Sequence, residues 1–386
     1  MKIAFISTMA GSPWGGSEEL WSGAALRLLA GGHEVLASVV SWPAVPGPLA
    51  ELERRGAVVD RRPRITPLWR RGVNRLRRAV RSAADGDPAW RRIRRFRPDL
   101  VCISQGTAMC GVDWMLRCLR AGIPYAVICQ ANYENWWPDD GRAEQVRTAF
   151  EGCRHAGFVS HRNRQLCEAQ IAAPLPRSEV VRNPFVVPYD AAPEWPGPAE
   201  PLRLACVARL DPKAKGQDLI VAVLAAEKWR RRGLHVSLFG SGPCSDNLRR
   251  LLELHGLESS ITFAGHVDDV LGIWRTHHAL LLPSRYEGLP LALVEAMLCG
   301  RIGIVTDVAG NTEVVEDDVT GFVAAAPTAW LLDAALERAW ARRDAWREMG
   351  GMAARAIRRA VPADPAAVYA DKLLALARGE EPGLAR

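Results

Sequence analysis

The stretch "SRYEGLPLALVEAMLCG", residues 284–300, sets two glutamates eight residues apart, Glu287 and Glu295. Glu287 stands in a turn-like run just before Pro290, and proline suits the first turn of a helix. Glu295 falls inside Leu-Ala-Leu-Val-Glu-Ala-Met-Leu, where a carboxylate is costly to bury without a partner. A second stretch, "ARLDPKAKGQDL", holds Arg209, Lys213 and Lys215 at a strand–loop–helix junction. Two of the five lysines in the chain are here, against an otherwise arginine-dominated composition. A guanidinium and an ammonium beside a helix start can hold a diphosphate without a metal; the same residues also read as a solvated basic loop. A third stretch, "GSPWGGSEELW", puts Gly15 and Gly16 before a helix start, where glycines let backbone approach a ligand and free N–H groups favour anions. Glu18 and Glu19 would compete with a phosphate there, and the plain alternative is a flexible turn. The glycine spacing is not GxGxxG, so a dinucleotide cofactor is not indicated.

The elements that must position these residues alternate. "KIAFIS" (2–7) reads as a buried strand, "SEELWSGAALRLLAGG" as a helix with Ser17 as N-cap and glycines at its end, and "HEVLASVV" (33–40) as the next strand. This βαβ start favours a parallel sheet. Further strands are expected at 99–104, 125–130 and 155–160. Residues 184–201 hold six prolines and read as a linker. The alternation then restarts, with strands at 202–208, 235–240, 261–265, 279–284 and 302–306. Helices are expected at 216–233, 245–256, from about 290, and over about 328–360. The organisation is therefore a first Rossmann-like domain over 1–183, a linker over 184–201 and a second such domain over 202–362, with segment 363–386 crossing back to the first. Ligands bind beyond the carboxyl ends of strands in open parallel sheets, which makes a cleft between two such domains the default site.

At 386 residues the chain has room for two domains of roughly 150 residues each. Nine dispersed cysteines without a CxxC pair argue against a disulfide framework and a structural zinc site, and for a reducing cytoplasm. The N-terminal apolar run is too short for a signal peptide, and no stretch reaches 18 apolar residues. The net charge of +7 is uneven: residues 54–97 hold 16 arginines against Asp60, Asp85 and Asp87, so the rest of the chain is net acidic. This segment, with helices expected around 70–83 and 88–96, reads first as a solvated arginine-rich face. The next reading is peripheral contact with anionic membrane or a lipid-linked acceptor at the inner face of the membrane. Nucleic acid comes last, since no binding fold or interleaved aromatics accompany the arginines.

Taken in order, these pieces resemble retaining glycosyltransferases of the family-4 type (glycosyl transferases group 1), which have the GT-B architecture of two facing Rossmann-like domains about a cleft. The resemblance is strongest over 202–325 and weaker over 1–45. Its most specific mark is the glutamate pair Glu287 and Glu295, then Arg209 with Lys215-Gly216, then Gly15-Gly16. It implies a hexosyltransferase that moves a sugar from a nucleoside-diphosphate sugar to an acceptor hydroxyl with retention, without a metal or other cofactor. It also implies roles. Arg209 and Lys215 would neutralise the diphosphate, with Lys213 as a rival because the spacing is one residue longer than the commonest form. Glu287 would bond donor sugar hydroxyls. The amides of Gly288 and Leu289 would hold sugar or phosphate oxygens, with Pro290 beside them in the donor-binding set. Glu295 would accept the ribose hydroxyls, Val267 would meet the base, and Gly16 would approach the phosphates. Many relatives carry a histidine where this chain has Gln130. Gln130 and Asn132 could bond a sugar hydroxyl, and Tyr133, Trp136 and Trp137 could stack on an acceptor sugar or simply pack. The acceptor would be a sugar, a lipid-linked compound or another small molecule. The alternatives within the same architecture are a sugar-nucleotide epimerase, a phosphorylase or a catalytically silent nucleotide-sugar-binding protein.

Overall fold

The computed structural model describes residues 1–64, 87–197 and 201–380. The helix expected around 70–83 lies outside these residues. The chain divides into two compact units, each with its own parallel sheet.

Unit 1 comprises Met1–Val159, Arg164–Pro184 and the C-terminal stretch from Asp364. Its strands are β1 (Lys2–Ser7), β2 (Glu34–Val40), β3 (Val58–Arg62), β4 (Leu100–Gln105), β5 (Tyr125–Cys129), β6 (His155–Phe158) and β7 (Ser178–Val180). They pair in the order β3-β2-β1-β4-β5-β6-β7, parallel throughout. β4 and β5 are buried at every residue, which explains their unbroken apolar runs: a strand covered by helices on both faces has no side left to expose. Helix Gly16–Ala30 packs against helix Pro365–Ala377. Gly23 allows this approach, since a Cβ there would stand 2.8 Å from Cβ of Ala366. Tyr369, from the same C-terminal helix, is buried with its hydroxyl 3.7 Å from Sγ of Cys102.

Glu18 is folded into unit 1. Its carboxylate accepts the indole N–H of Trp21 at 2.7 Å and is 3 % exposed. Loss of hydration pushes its pKa up from 4.5 to about 6, against smaller lowering effects from Ser7 and Trp21.

Unit 2 comprises Ser160–Asn163 and Phe185–Ala363. Its strands are β8 (Arg203–Val207), β9 (His235–Phe239), β10 (Ile261–Gly265), β11 (Ala279–Leu282), β12 (Ile302–Thr306) and β13 (Gly321–Ala324), in the order β10-β9-β8-β11-β12-β13. The proline-rich stretch expected as a linker is, from Phe185 to Gly197, part of this unit. Val187 and Ala191 are buried. The hydroxyl of Tyr189 donates to the carbonyl of Arg358 at 2.6 Å, and the Arg358 guanidinium donates to the carbonyls of Tyr189 and Ala191 at 2.8 and 3.0 Å. A proline-rich run cannot form a ladder, so a side chain supplies the donors its carbonyls need.

Two expected helices are each broken in two. The span 216–233 forms Gln217–Leu224 and Glu227–Arg231, and 328–360 forms Ala329–Ala341 and Trp346–Ala360 about a 3₁₀ turn at Arg343–Ala345.

The turn Lys215-Gly216 is a tight joint of unit 2. Gly216 has φ +67°, and a Cβ on it would lie 2.0 Å from the carbonyl oxygen of Pro283. Gly265 has φ +74° with nothing within 4 Å of its notional Cβ. Gly216→Ala is therefore expected to cost about 2–5 kcal/mol, from a left-handed backbone plus displacement of Pro283, and Gly265→Ala about 1 kcal/mol from backbone alone. Urea unfolding of the two variants measures the difference, and equal losses would refute the packing argument. A second expectation concerns pH. With its folded pKa raised, Glu18 contributes full stability below about pH 4.5, and this is lost as pH rises through about 6. Glu18→Gln keeps the acceptor for Trp21 and does not titrate. Its stability advantage should be near zero at pH 4.5 and on the order of 2 kcal/mol at pH 7.5, read as a pH-dependent gap between the two melting curves. A gap that does not change with pH would refute the burial cost.

Candidate active site

Strand order reverses in unit 2 beside β8. The chain steps outward from β8 through β9 to β10, then returns to place β11 on the other side of β8. Loops leaving the carboxyl ends of two strands at such a reversal turn to opposite faces of the sheet, and ligands bind between them. The loop after β8 carries Arg209, Lys213 and Lys215, and the loop after β11 carries Ser284 to Pro290. Topology thus juxtaposes the two chemically capable stretches.

The loop after β8 rests on the glycine turn "FGSGP". Ala208 donates its N–H to Phe239 and Leu210 to Ser241, each at 3.0 Å. A Cβ at Gly240 would lie 2.3 Å from the carbonyl oxygen of Ala208, and one at Gly242 would lie 2.4 Å from that of Leu210. These glycines are a backbone seat for the Arg209 loop. Gln217, fully buried, donates from Nε2 to the Arg209 carbonyl at 2.8 Å. The Arg209 guanidinium itself donates to Asp211 at 2.7 Å and stays partly exposed. Lys213 is exposed, whereas Lys215 turns inward.

The loop after β11 is clipped to the same turn. Arg285 forks onto both carboxylate oxygens of Asp218 at 2.7 and 2.8 Å and donates to the carbonyl of Pro212 at 2.6 Å. Its backbone N–H donates to Ala214 at 2.8 Å. This clip brings Nζ of Lys215 to Oε1 of Glu287 at 2.5 Å. The hydroxyl of Ser284 donates to the same oxygen at 2.7 Å. Among the described residues, Oε2 of Glu287 takes no hydrogen bond. Helix Leu291–Leu298 begins immediately after, with Pro290 at its N-cap and no side-chain cap. Its positive end therefore adds to the site.

Two residues that sequence reasoning missed hold the Glu287 turn. Nδ2 of Asn163, 2 % exposed, donates to the carbonyl of Glu287 at 3.1 Å. The N–H of Gly310 donates to the carbonyl of Gly288 at 2.8 Å, and a Cβ on Gly310 would stand 2.8 Å from that oxygen. Gly310 lies in the turn that follows β12. Asn163 sits in the polar run "HRNRQLCEAQ", where nothing distinguishes it. Gly288, Leu289 and Pro290 are buried beneath this grip. Glu295, 5 % exposed, accepts the N–H of Val186 at 3.1 Å, so part of the answer to its apolar setting is the chain just after Pro184. Val267 follows β10 and packs against the core of the unit.

In unit 1, Gly15 caps helix Gly16–Ala30 in an extended conformation, with no side-chain cap. Glu18 and Glu19 are engaged by the indoles of Trp21 and Trp14, each at 2.7 Å. Gln130 forms a reciprocal amide pair with Asn183 at 2.7 and 3.2 Å. Asn132 is held within the same unit. It is buried, donates to Gln170 at 2.7 Å and accepts the N–H of Tyr133 at 3.0 Å, so its carboxamide fastens the loop. Trp136 lies edge-on to Tyr133 at 5.5 Å, and Trp137 is 60 % exposed. Much of the arginine-rich segment lies outside the described residues. Within them, Arg54 and Arg55 pair with Glu51, Arg61 with Glu53 and Arg92 with Asp60, which favours a solvated, internally paired face.

Among the described residues, no three His, Cys, Asp or Glu side chains form a metal-holding group, and no helix is long and apolar enough to cross a membrane. All nine cysteines are unpaired, and burial pushes thiols such as Cys206 and Cys299 up to about 12.

Residues 201–341 match the family model described as Glycosyl transferases group 1. A GDP-mannose-dependent alpha-(1-6)-phosphatidylinositol monomannoside mannosyltransferase of Mycobacterium tuberculosis is 33 % identical over 132 residues, covering 31 % of this chain and 33 % of that protein. An alpha-D-kanosaminyltransferase of Streptomyces kanamyceticus is 29 % identical over 111 residues, covering 28 % and 29 %. The matched stretch therefore spans about a third of the length of these relatives. Solved structures match over nearly the whole chain. Sucrose-phosphate synthase from Thermosynechococcus elongatus has a TM-score of 0.74 at 18 % identity, covering 98 % of this chain and 99 % of the other. Anabaena Alr3699/HepE, solved in complex with UDP-glucose, has 0.72 at 17 %, covering 97 % and 100 %. The chain has the two-domain GT-B fold, and its residues 201–341 are similar to the glycosyl transferases group 1.

Proposed function

We propose that the protein is a retaining glycosyltransferase that moves a hexosyl group from a nucleoside-diphosphate sugar to an acceptor hydroxyl, without a metal. The observation that carries this reading is the Lys215–Glu287 contact at the uncapped start of helix Leu291–Leu298, where strand order reverses. Negative charge grows on the departing diphosphate as the glycosidic bond breaks. Lys215, the helix end and Arg209 swung from Asp211 are fixed or nearby positive groups for that charge. Each well-placed donor in such a site is worth about 2.7–4 kcal/mol of barrier. Oε2 of Glu287 is the oxygen offered to a donor sugar hydroxyl. Glu295 serves the ribose, since a carboxylate has lone pairs for several donors besides the Val186 N–H. Retention follows if the acceptor oxygen bonds the anomeric carbon on the face the diphosphate leaves, its proton passing to the departing phosphate oxygen. No protein nucleophile is then required. Val267 meets the base. The acceptor is a sugar or lipid-linked compound, with Gln130, Asn132 and Trp136 as candidate contacts.

The test is nucleoside diphosphate release from UDP-glucose and GDP-mannose, with and without candidate acceptor sugars. Lys215→Ala should lower turnover about 100- to 1,000-fold. Lys213→Ala, changing an exposed side chain, should stay within about 3-fold. Full activity in Lys215→Ala, or the larger loss in Lys213→Ala, would refute the assignment.

A further inference from the structure

Ser284 stands just after β11 and is completely buried, 0 % exposed. Its hydroxyl lies 2.7 Å from Oε1 of Glu287, and an ionised carboxylate only accepts, so the serine donates. Its own carbonyl is held by the hydroxyl of Thr306 at 2.6 Å, from the end of β12. Thr306 is also fully buried. The serine, two residues past β11, is therefore tied through its carbonyl to the end of the neighbouring strand β12.

We infer that Ser284 is a positioning residue that selects which oxygen of Glu287 faces the donor. The inference rests on the donor-site reading proposed above. Lys215 alone cannot make this selection. An ammonium is a compact charge on a flexible stem with three rotatable donors, and it serves either carboxylate oxygen equally well. The Ser284 hydroxyl is directional and fixed. With both groups on Oε1, that oxygen is the closed side of the carboxylate and Oε2 is the open one. The backbone of Glu287 is gripped separately by Asn163, so loss of Ser284 leaves the turn in place and frees only the carboxylate to rotate.

Replacing Ser284 by alanine should then weaken the sugar contact without weakening the hold on the diphosphate. A hydrogen bond to a charged group sets the scale, about a 10- to 100-fold fall in turnover. UDP and GDP affinities, measured by calorimetry, should stay within about 2-fold of wild type. In a Glu287→Gln background the serine no longer has an ionised carboxylate to orient. There, adding Ser284→Ala should cost less than about 3-fold, a non-additivity that a merely structural serine would not give. The inference is overturned if Ser284→Ala turns over UDP-glucose and GDP-mannose like wild type. It is equally overturned if nucleotide affinity falls in step with turnover, or if the two losses multiply in the double variant. A wild-type chain that neither binds these nucleotides nor consumes their sugars removes the donor-site reading, and this inference with it.

Discussion

Gly216 carries a hydrogen where any other residue carries a side chain, and this lets the turn after β8 lie on the carbonyl of Pro283. The rest of the site depends on that contact. It brings Ala214 within reach of the Arg285 N–H and Asp218 within reach of the Arg285 fork. Those bonds fix two loops against each other, and only then can the Lys215 ammonium sit 2.5 Å from a carboxylate 72 residues further on. A half-buried lysine and a buried glutamate each carry a desolvation cost alone; meeting one another, with a serine hydroxyl on the same oxygen, offsets it.

The two glutamates of the opening stretch do different structural work. Glu287 is pinned through its side chain by Ser284 and Lys215 and through its carbonyl by Asn163. Glu295, in the middle of helix Leu291–Leu298, accepts the N–H of Val186, and so ties the proline-rich segment to that helix. That second contact was invisible in the sequence, because an extended proline-rich run announces a linker whether or not its carbonyls and amides find partners. Arg358 and Glu295 between them supply those partners from the folded unit.

Most of the sheet was legible because its inner strands are buried on both faces and read as apolar runs, as in β4, β5, β11 and β12. The three strands that escaped notice, β3, β7 and β13, are all edges of their sheets. β3 reads Val-Val-Asp-Arg-Arg with one buried residue in five, and its arginines look like the basic segment around it. β7 has three half-buried residues, too few for any period. The site followed the same logic. Charged residues in apolar or glycine-rich surroundings, such as Lys215 beside Gly216, advertise themselves. Ser284, Asn163 and Gly310 act through backbone position and burial, which only the fold supplies.

The central claim is that Lys215 and Glu287 face adjoining parts of one ligand, its diphosphate and its transferable sugar. A crystal structure of the protein with UDP-glucose or GDP-mannose tests it most directly. The account predicts diphosphate oxygens within hydrogen-bond reach of Nζ of Lys215, a hydroxyl of the transferable sugar on Oε2 of Glu287, and ribose hydroxyls on Glu295. A donor bound in contact with neither Lys215 nor Glu287 would contradict it.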